Sequence, residues 1–295
     1  MTTTLPPTEG RLDASRDLDE RSTRGVLQAL HEQDAAAVAA VEPALDAVAD
    51  LVDAAAERFR RGGTIHYFGA GTSGRLGVLD AAELLPTFDL EPGRVVAHIA
   101  GGEAGLVRAI EDAEDSQAEG ARAAAGLGAS DVAIGLTASG TTPYVRAALD
   151  TARTQGALTA LITSNPASTL ASLADIEIVT DTGAEVIMGS TRLKAGTAEK
   201  LVLNGFSTAL MVAVGRTWSN LMVSVVATNR KLRGRSVRIL CEATDMTEAE
   251  AERVLREADG EVKTAIVMSF AAVSADEARA RLVASDGSVR EAVSP

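Results

Sequence analysis

The sequence contains little cysteine and few aromatic residues. Cys241 is the single cysteine among 295 residues, and aromatic residues make up 3% of the chain. One cysteine excludes an internal disulfide and a zinc site that needs several thiolates. With so few aromatic rings, the core must be built from Ala, Val, Leu and Ile, which suits helices packed closely on a parallel sheet.

Basic charge is also scarce. The chain has 28 basic and 41 acidic residues, so its formal net charge is −13. A chain this acidic repels a phosphate backbone, which argues against nucleic acid as a partner. It does not argue against a small anion, because backbone amides at a helix start bind phosphate locally.

Long apolar runs and metal-ligand spacings are missing too. The stretch richest in Ala and Val, residues 35–57, is interrupted by acidic residues and cannot span a membrane. The first residues lack the pattern of a signal peptide, so we expect a cytoplasmic protein without membrane contact. The three histidines, His31, His66 and His98, are widely spaced, which predicts no metal site. His66 and His98 lie in apolar runs and are predicted to be core positions.

The pattern along the chain predicts an α/β fold. Residues 1–22 are polar and predict an extended arm, and residues 23–61 have helical periodicity that Pro43 divides. Short apolar runs closed by Gly, Ser or Asn-Pro then alternate with helical segments, for example 105–114 and 143–155. This alternation predicts a parallel sheet with helices on both faces. The predicted strands are 64–68, 95–100, 131–138, 157–164 and 176–180.

The last third of the chain is predicted to be helical. A long helix is expected over about 193–226, followed by 229–242, and three short helices over 247–258, 261–270 and 275–284. We therefore predict three parts: an N-terminal arm with helices, a central sheet domain and a small helical, UBA-like subdomain. Their predicted bounds are 1–62, 63–242 and 243–295.

Two loops after predicted strands carry the signs of a phosphate site. Loop 1 (residues 69–75, GAGTSGR) and loop 2 (residues 138–143, ASGTTP) offer backbone amides and short hydroxyls at a helix start. Loop 1 also matches G-x-G-x-x-G, but Glu103 is poorly placed for a dinucleotide ribose. The two loops together therefore favour a phosphomonoester over a dinucleotide as the ligand. Taken singly, either loop could also be an ordinary tight turn that binds no ligand. Loop 3 (residues 189–197, GSTRLKAGT) is equally consistent with a helix cap or another wall of the anion site.

Several strings give the chain a family resemblance. Residues 69–88, GAGTSGRLGVLDAAELLPTF, resemble a signature of N-acetylmuramic acid 6-phosphate etherases, and the resemblance covers nearly the whole chain. The other matching strings are TEGR at 8–11, DLD at 17–19, IAGG at 99–102, TPYV at 142–145, GSTRLKAGTAEKLVLN at 189–204, NLMV at 220–223 and TNRKL at 228–232.

The resemblance implies a fold and an activity. The expected fold is the SIS domain, a parallel sheet sandwiched by helices, generally acting as a homodimer. The expected enzyme is a lyase that uses water to cleave the lactyl ether of N-acetylmuramic acid 6-phosphate, without a metal or organic cofactor. Its products are N-acetylglucosamine 6-phosphate and D-lactate, and its role is the recovery of cell-wall amino sugars.

The resemblance also implies site residues. The proton-donor glutamate falls on Glu83. Its helical spacing from Leu76 and Leu79 allows a buried carboxyl with the raised pKa that an acid needs, whereas the sequence alone favours a surface glutamate late in a helix. The second catalytic glutamate falls on Glu114, in an acidic stretch that by itself predicts a solvated helix end. The expected phosphate contacts are Thr72, Ser73, Ser139, Gly140, Ser190 and Thr191.

Three departures from the family pattern bear on specificity. Leu12-Asp13 stands where Asn-Pro is usual, Thr141 where Arg is usual, and Asp112 where Gly is usual. The alternatives to an etherase are a sugar-phosphate isomerase of the same superfamily and a non-catalytic sugar-phosphate sensor. An isomerase usually needs a histidine to open the sugar ring, and no histidine lies in these loops. A sensor would keep the phosphate loops but would not need both carboxylates.

Overall fold

The computed structural model describes residues 5–224 and 230–294. Residues 225–229, where the predicted long helix ends and the string TNRKL begins, lie outside the described residues. The chain divides into two compact units. The first comprises residues 1–81 and 93–207, and the second comprises residues 82–92 and 208–295.

The first unit begins with short 3-10 helices at Pro7–Glu9, Asp13–Ser15 and Leu18–Glu20 instead of the extended arm that we predicted. The helical region that follows is divided at Pro43, as predicted. Helix α1 spans Thr23–Ala39 and α2 spans Leu45–Arg60, with a 3-10 turn at Glu42–Ala44 between them.

A five-stranded sheet with all pairs parallel forms the centre of the first unit. Its spatial order is β2-β1-β3-β4-β5. Every residue of β3 is buried, as expected for a strand covered on both faces. The α/β prediction is therefore confirmed. The strands are β1 Ile65–Gly69, β2 Val95–Ile99, β3 Val132–Leu136, β4 Leu158–Thr163 and β5 Ile176–Val179.

The helices between and after the strands are α3 Gly71–Phe88, α4 Gly102–Val107, α5 Gln117–Ala124, α6 Pro143–Thr154 and α7 Lys194–Ala213. The predicted helix over 105–114 was wrong in its bounds. Helix α4 begins earlier, after Gly101 in a left-handed conformation, and Arg108 is already extended. A separate helix, α5, was not predicted, and α7 ends earlier than expected because the chain turns at Gly215, where φ is +73°.

The second unit contains a helical core of its own. Helix α9 begins with a capping box in which Thr247 and Glu250 satisfy each other's backbone amides. Buried side chains such as Leu240, Ala258 and Ile266 form the core. The three predicted short helices are confirmed. The helices are α8 Arg230–Thr244, α9 Glu248–Glu257, α10 Val262–Ala271, α11 Ala275–Ala284 and α12 Val289–Ala292. Within the described ranges, no helix has the length and apolar character needed to cross a membrane.

Candidate active site

The sheet order brings loop 1 and loop 2 side by side. Strand β1 pairs with β2 on one side and with β3 on the other, and Gly69 is in register with Leu136. Both strands therefore end at the same edge. Strand β2 lies on one side of β1 and strands β3 to β5 lie on the other, so the direction of the connections changes beside β1. Open α/β sheets bind ligands at this kind of switch point.

Glycines make loop 1 a very tight turn. A Cβ atom on Gly69 would stand 2.7 Å from the nitrogen of Gly74, and one on Gly74 would stand 2.6 Å from Cγ1 of Ile99. Neither position has room for a side chain. The turn brings the start of α3 directly against the end of β1, so Thr72 and Ser73 lie in the first turn of that helix.

The Ser73 hydroxyl donates a 2.6 Å hydrogen bond to Oε2 of Glu199, a residue of α7. Both side chains are buried, and Oε1 of Glu199 has no partner among the described residues. Burial raises the pKa of Glu199 to about 7, and the hydrogen bond from Ser73 acts in the opposite direction. Glu199 is not among the site residues predicted from the sequence, although it lies inside the matched string 189–204.

A cavity of about 310 Å³ joins loop 1 to the segment that carries Glu114. Ala70, Gly71 and Arg75 form one part of its wall, and residues 108–114 form another. Arg75 holds the two parts together, because it donates hydrogen bonds to the carbonyl groups of Leu106 and Arg108. The structure thus brings Glu114, an exposed residue, to the rim of the same cavity as loop 1.

Asp112 occupies a special backbone position in that wall. Its φ is +59° and its ψ is 0°, in the left-handed region, immediately before the 3-10 helix Ala113–Asp115 that carries Glu114. Glycine adopts this conformation freely, and aspartate tolerates it better than most other residues. The usual glycine of the family pattern and the aspartate of this chain therefore satisfy the same conformational demand.

Loop 2 is a network of hydroxyl groups. The Thr137 and Thr142 hydroxyls lie 2.8 Å apart, and those of Ser139 and Thr141 lie 3.0 Å apart. Gly140 has a φ of +68°, and a Cβ atom there would stand 2.5 Å from the Ser168 hydroxyl oxygen. The Thr142 side chain does not cap the start of α6, and Pro143 has no N–H. The amides that follow Pro143 in the first turn are therefore left to another acceptor.

Loop 3 meets loop 1, but the helix that it opens is capped by a carboxylate from earlier in the chain. Cγ2 of Thr72 lies 3.4 Å from where a Cβ atom on Gly196 would stand. The fully buried carboxylate of Glu185 accepts hydrogen bonds from the backbone amides of Lys194 and Ala195, each 3.0 Å long. The start of α7 is therefore capped from within the chain. The binding roles of Ser190 and Thr191 stay predictions.

Glu83 differs from the expectation of burial. It lies on α3 and is exposed in the single chain, as the sequence alone favoured, so the burial that an acid role would require is not seen there. It is not among the residues that line the cavity of about 310 Å³. The periodicity from Leu76 and Leu79 was misleading, because Leu79 is itself 48% exposed. The catalytic role of Glu83 stays a prediction from the family resemblance.

The two histidines of the sheet are neighbours, which their sequence spacing did not reveal. Nδ1 of His66 lies 2.9 Å from Nε2 of His98, and Thr64 links His66 to Asp131. Burial and the charge of His66 lower the pKa of His98 to about 4. Both are half-buried and hydrogen-bonded, in line with the predicted structural role.

Sequence comparisons identify the family. The chain is 53% identical to an N-acetylmuramic acid 6-phosphate etherase of Thermobifida fusca over 261 residues, which cover 88% of this chain and 86% of that protein. It is 46% identical to one of Klebsiella aerogenes, over 97% of this chain and 96% of that protein. The chain belongs to the N-acetylmuramic acid 6-phosphate etherase family.

Family models of the SIS domain match the part of the chain that contains the sheet. Residues 47–153 match the family described as glucokinase regulatory protein N-terminal SIS domain, and residues 112–203 match the SIS domain family. A solved phosphoheptose isomerase from Francisella tularensis is similar with a TM-score of 0.49 at 18% identity, covering 66% of this chain and 97% of that one. The resemblance of this chain to an etherase family, a family of carbon–oxygen lyases, is confirmed.

Proposed function

We propose that this chain cleaves the lactyl ether of N-acetylmuramic acid 6-phosphate with water, releasing D-lactate and N-acetylglucosamine 6-phosphate. The observation that carries the proposal is the cavity in which loop 1 meets the segment of Glu114 at the switch point of the sheet. The reaction needs the substrate phosphate to be held while a general base reaches C2 of the same sugar.

The phosphate would be held between loop 1 and loop 2. The uncapped first amides of α6 and the Ser139 hydroxyl offer donors, and Gly140 lets the backbone approach closely. Thr72 and Ser73 would contribute from the facing helix start. A phosphate bound this way fixes the sugar relative to the cavity wall, and such positioning lowers the entropic part of the barrier.

The chemistry requires one base and one acid. In the ring-opened aldehyde, the C2 hydrogen is acidic, and we assign its removal to the Glu114 carboxylate. As the C3–O bond breaks, the lactyl oxygen takes a proton, and we assign that proton to Glu83. Water then adds at C3 of the unsaturated aldehyde while C2 is reprotonated, which completes the exchange of lactate for hydroxide.

The proposed enzyme would work as a homodimer in the cytoplasm. Large apolar side chains on the N-terminal helices support a second copy: Leu27, Val38 and Leu45 are 58%, 59% and 54% exposed. A cytoplasmic place follows from the proposed substrate, because a charged sugar phosphate does not cross a membrane unaided. Sedimentation of the purified protein tests the dimer, and a monomer at assay concentration would contradict it.

The activity is tested by D-lactate release from N-acetylmuramic acid 6-phosphate. We expect release by the wild type and a loss of about 10²- to 10⁴-fold in Glu83→Gln and in Glu114→Gln. Glu111→Gln and Glu91→Gln are matched controls, since Glu111 lines the same cavity and Glu91 is an exposed carboxylate shortly after α3. Both controls should keep near wild-type rates.

The outcome distinguishes an enzyme from a sensor. A wild type that binds sugar phosphate in calorimetry but releases no lactate overturns the etherase proposal and favours a sensor. Equal losses in Glu111→Gln and Glu114→Gln would show that the cavity needs negative charge rather than a base at position 114.

A further inference from the structure

A buried carboxyl group lies directly beneath loop 1. Glu199 is 4% exposed and Ser73 is 9% exposed, and the hydrogen bond between them is 2.6 Å long. The second carboxyl oxygen, Oε1, is buried without a partner in the described part of the chain. A fully ionised carboxylate would leave that oxygen charged and unsatisfied, which is costly away from water.

The two protonation states of Glu199 present Ser73 differently to a ligand. An ionised carboxylate only accepts, so it takes the single hydroxyl proton of Ser73. The serine then has only lone pairs to offer to a phosphate oxygen, and the carboxylate adds electrostatic repulsion. A protonated carboxyl group donates to the serine oxygen instead. The hydroxyl proton of Ser73 is then free to point at the phosphate.

We propose that Glu199 is a positioning residue that makes phosphate binding at loop 1 conditional on a proton held between its carboxyl group and Ser73. The inference rests on the proposed function, in that loop 1 is taken to hold the phosphate. Glu199 does not touch the substrate; it sets which way the Ser73 hydroxyl donates. A sugar phosphate that binds above neutral pH then brings one proton from solvent into the protein.

Burial is the main cause of the titration behaviour of Glu199. Burial raises its pKa to about 7, and the hydrogen bond from Ser73 is the one opposing influence among the described residues. The other charged groups of this region have different partners. Glu185 accepts from the α7 amides, Lys194 donates to Gln33, the charge of Lys200 acts on Asp80, and Arg75 donates to backbone carbonyl groups.

The test is calorimetric titration with N-acetylglucosamine 6-phosphate at pH 6.5, 7.5 and 8.5, in two buffers of different protonation enthalpy. The second phosphate ionisation, near pH 6, is essentially complete above pH 7.5. For the wild type we expect uptake of close to one proton at pH 8.5 and an affinity that falls about tenfold from pH 7.5 to 8.5. Glu199→Gln keeps a donor toward Ser73 at every pH, so its affinity should stay level over that interval.

Glu177→Gln is the matched control. Burial also raises the pKa of Glu177, and Oε1 of this residue is likewise unpartnered, but it lies on β5 and not in any of the three loops. It should reproduce the wild-type slope. If Glu199→Gln does not fold, Ser73→Ala tests the same link. It should bind more weakly, and its affinity should fall less steeply between pH 7.5 and 8.5, because only the repulsion from the Glu199 carboxylate remains.

The inference is overturned if Glu199→Gln or Ser73→Ala takes up as many protons as the wild type and shows the same fall in affinity from pH 7.5 to pH 8.5. The proposed function would remain intact in that case. A wild type that binds no N-acetylglucosamine 6-phosphate at any of the three pH values overturns both. Release of D-lactate with a level binding profile overturns only the role of Glu199.

Discussion

The starts of α6 and α7 are alike in sequence and different in structure. Each helix follows a loop rich in Gly, Ser and Thr, and each loop predicts an anion at the helix start. At α7 the anion is the carboxylate of Glu185, which accepts from two backbone amides. At α6 the side chain of the N-cap residue Thr142 makes no such hydrogen bond, and Pro143 begins the helix.

The difference shows that a hydroxyl-rich loop before a helix indicates a local surplus of backbone amide donors. It does not indicate which group accepts hydrogen bonds from them. At α7 the chain supplies its own carboxylate nine residues earlier, and the helix start becomes part of the core. At α6 the surplus remains available at the switch point of the sheet, beside loop 1. We therefore expect mutations at α7 to act mainly on stability and mutations in loop 2 to act mainly on ligand binding.

The largest expected effect is at the capped helix. Glu185→Ala leaves two buried amides without an acceptor and should lower the free energy of unfolding by about 4 kcal/mol. Glu185→Gln keeps one acceptor oxygen and should cost roughly half as much. Chemical denaturation at fixed protein concentration measures both. A cost below about 1 kcal/mol for the alanine variant would erase the distinction between the two helix starts.

The next effect concerns Glu199, a buried carboxyl group within α7. Because the pKa of Glu199 is raised by burial from 4.5 to about 7, the folded state binds more protons than the unfolded state between these values. The free energy of unfolding therefore falls as pH rises through that window, by an amount on the order of 3 kcal/mol. Glu199→Gln should gain stability relative to wild type between pH 4.5 and pH 8. Comparing urea denaturation of both proteins isolates this term, since the histidines titrate equally in each.

A third prediction separates crowding from backbone strain in loop 2. Gly140→Ala places a methyl group 2.5 Å from the Ser168 hydroxyl oxygen at a φ of +68°. We expect a loss of about 2 kcal/mol in stability and at least about a tenfold loss in affinity for N-acetylglucosamine 6-phosphate. Gly62→Ala is the control, because its φ is +89° and nothing lies within 4 Å of its Cβ position. It should lose stability and keep ligand affinity.

The smallest effect is at Asp112, beside Glu114. Asp112→Gly removes the cost of a left-handed aspartate but adds the entropy of a glycine, so stability should change by less than about 0.5 kcal/mol. Asp112→Val should cost about 1 kcal/mol or more, since a β-branched residue disfavours positive φ. Thermal unfolding checks stability, and lactate release checks whether Glu114 has moved. An equally tolerated valine would contradict the conformational explanation of the family's glycine.

Much of the fold was predictable because local patterns carry it. The five strands were found close to their observed bounds, since short apolar runs closed by turn residues are distinctive. The division at Pro43 and the three C-terminal helices follow from equally local signals. The helix over 105–114 was misplaced because left-handed Gly101 sets the start of α4 and the chain is already extended at Arg108, and periodicity reports neither backbone conformation.

The site was predictable only in part. The sequence alone predicted the sheet, the two loops that follow β1 and β3, and the family, because motifs and apolar periods are properties of neighbouring residues. Tertiary packing was needed to reveal that Glu185 caps α7, that Ser73 donates to Glu199 and that Glu114 shares a cavity with loop 1. The physical reason is that burial and hydrogen-bond partners depend on residues far apart in the chain, such as Ser73 and Glu199, which meet only when α3 and α7 have packed.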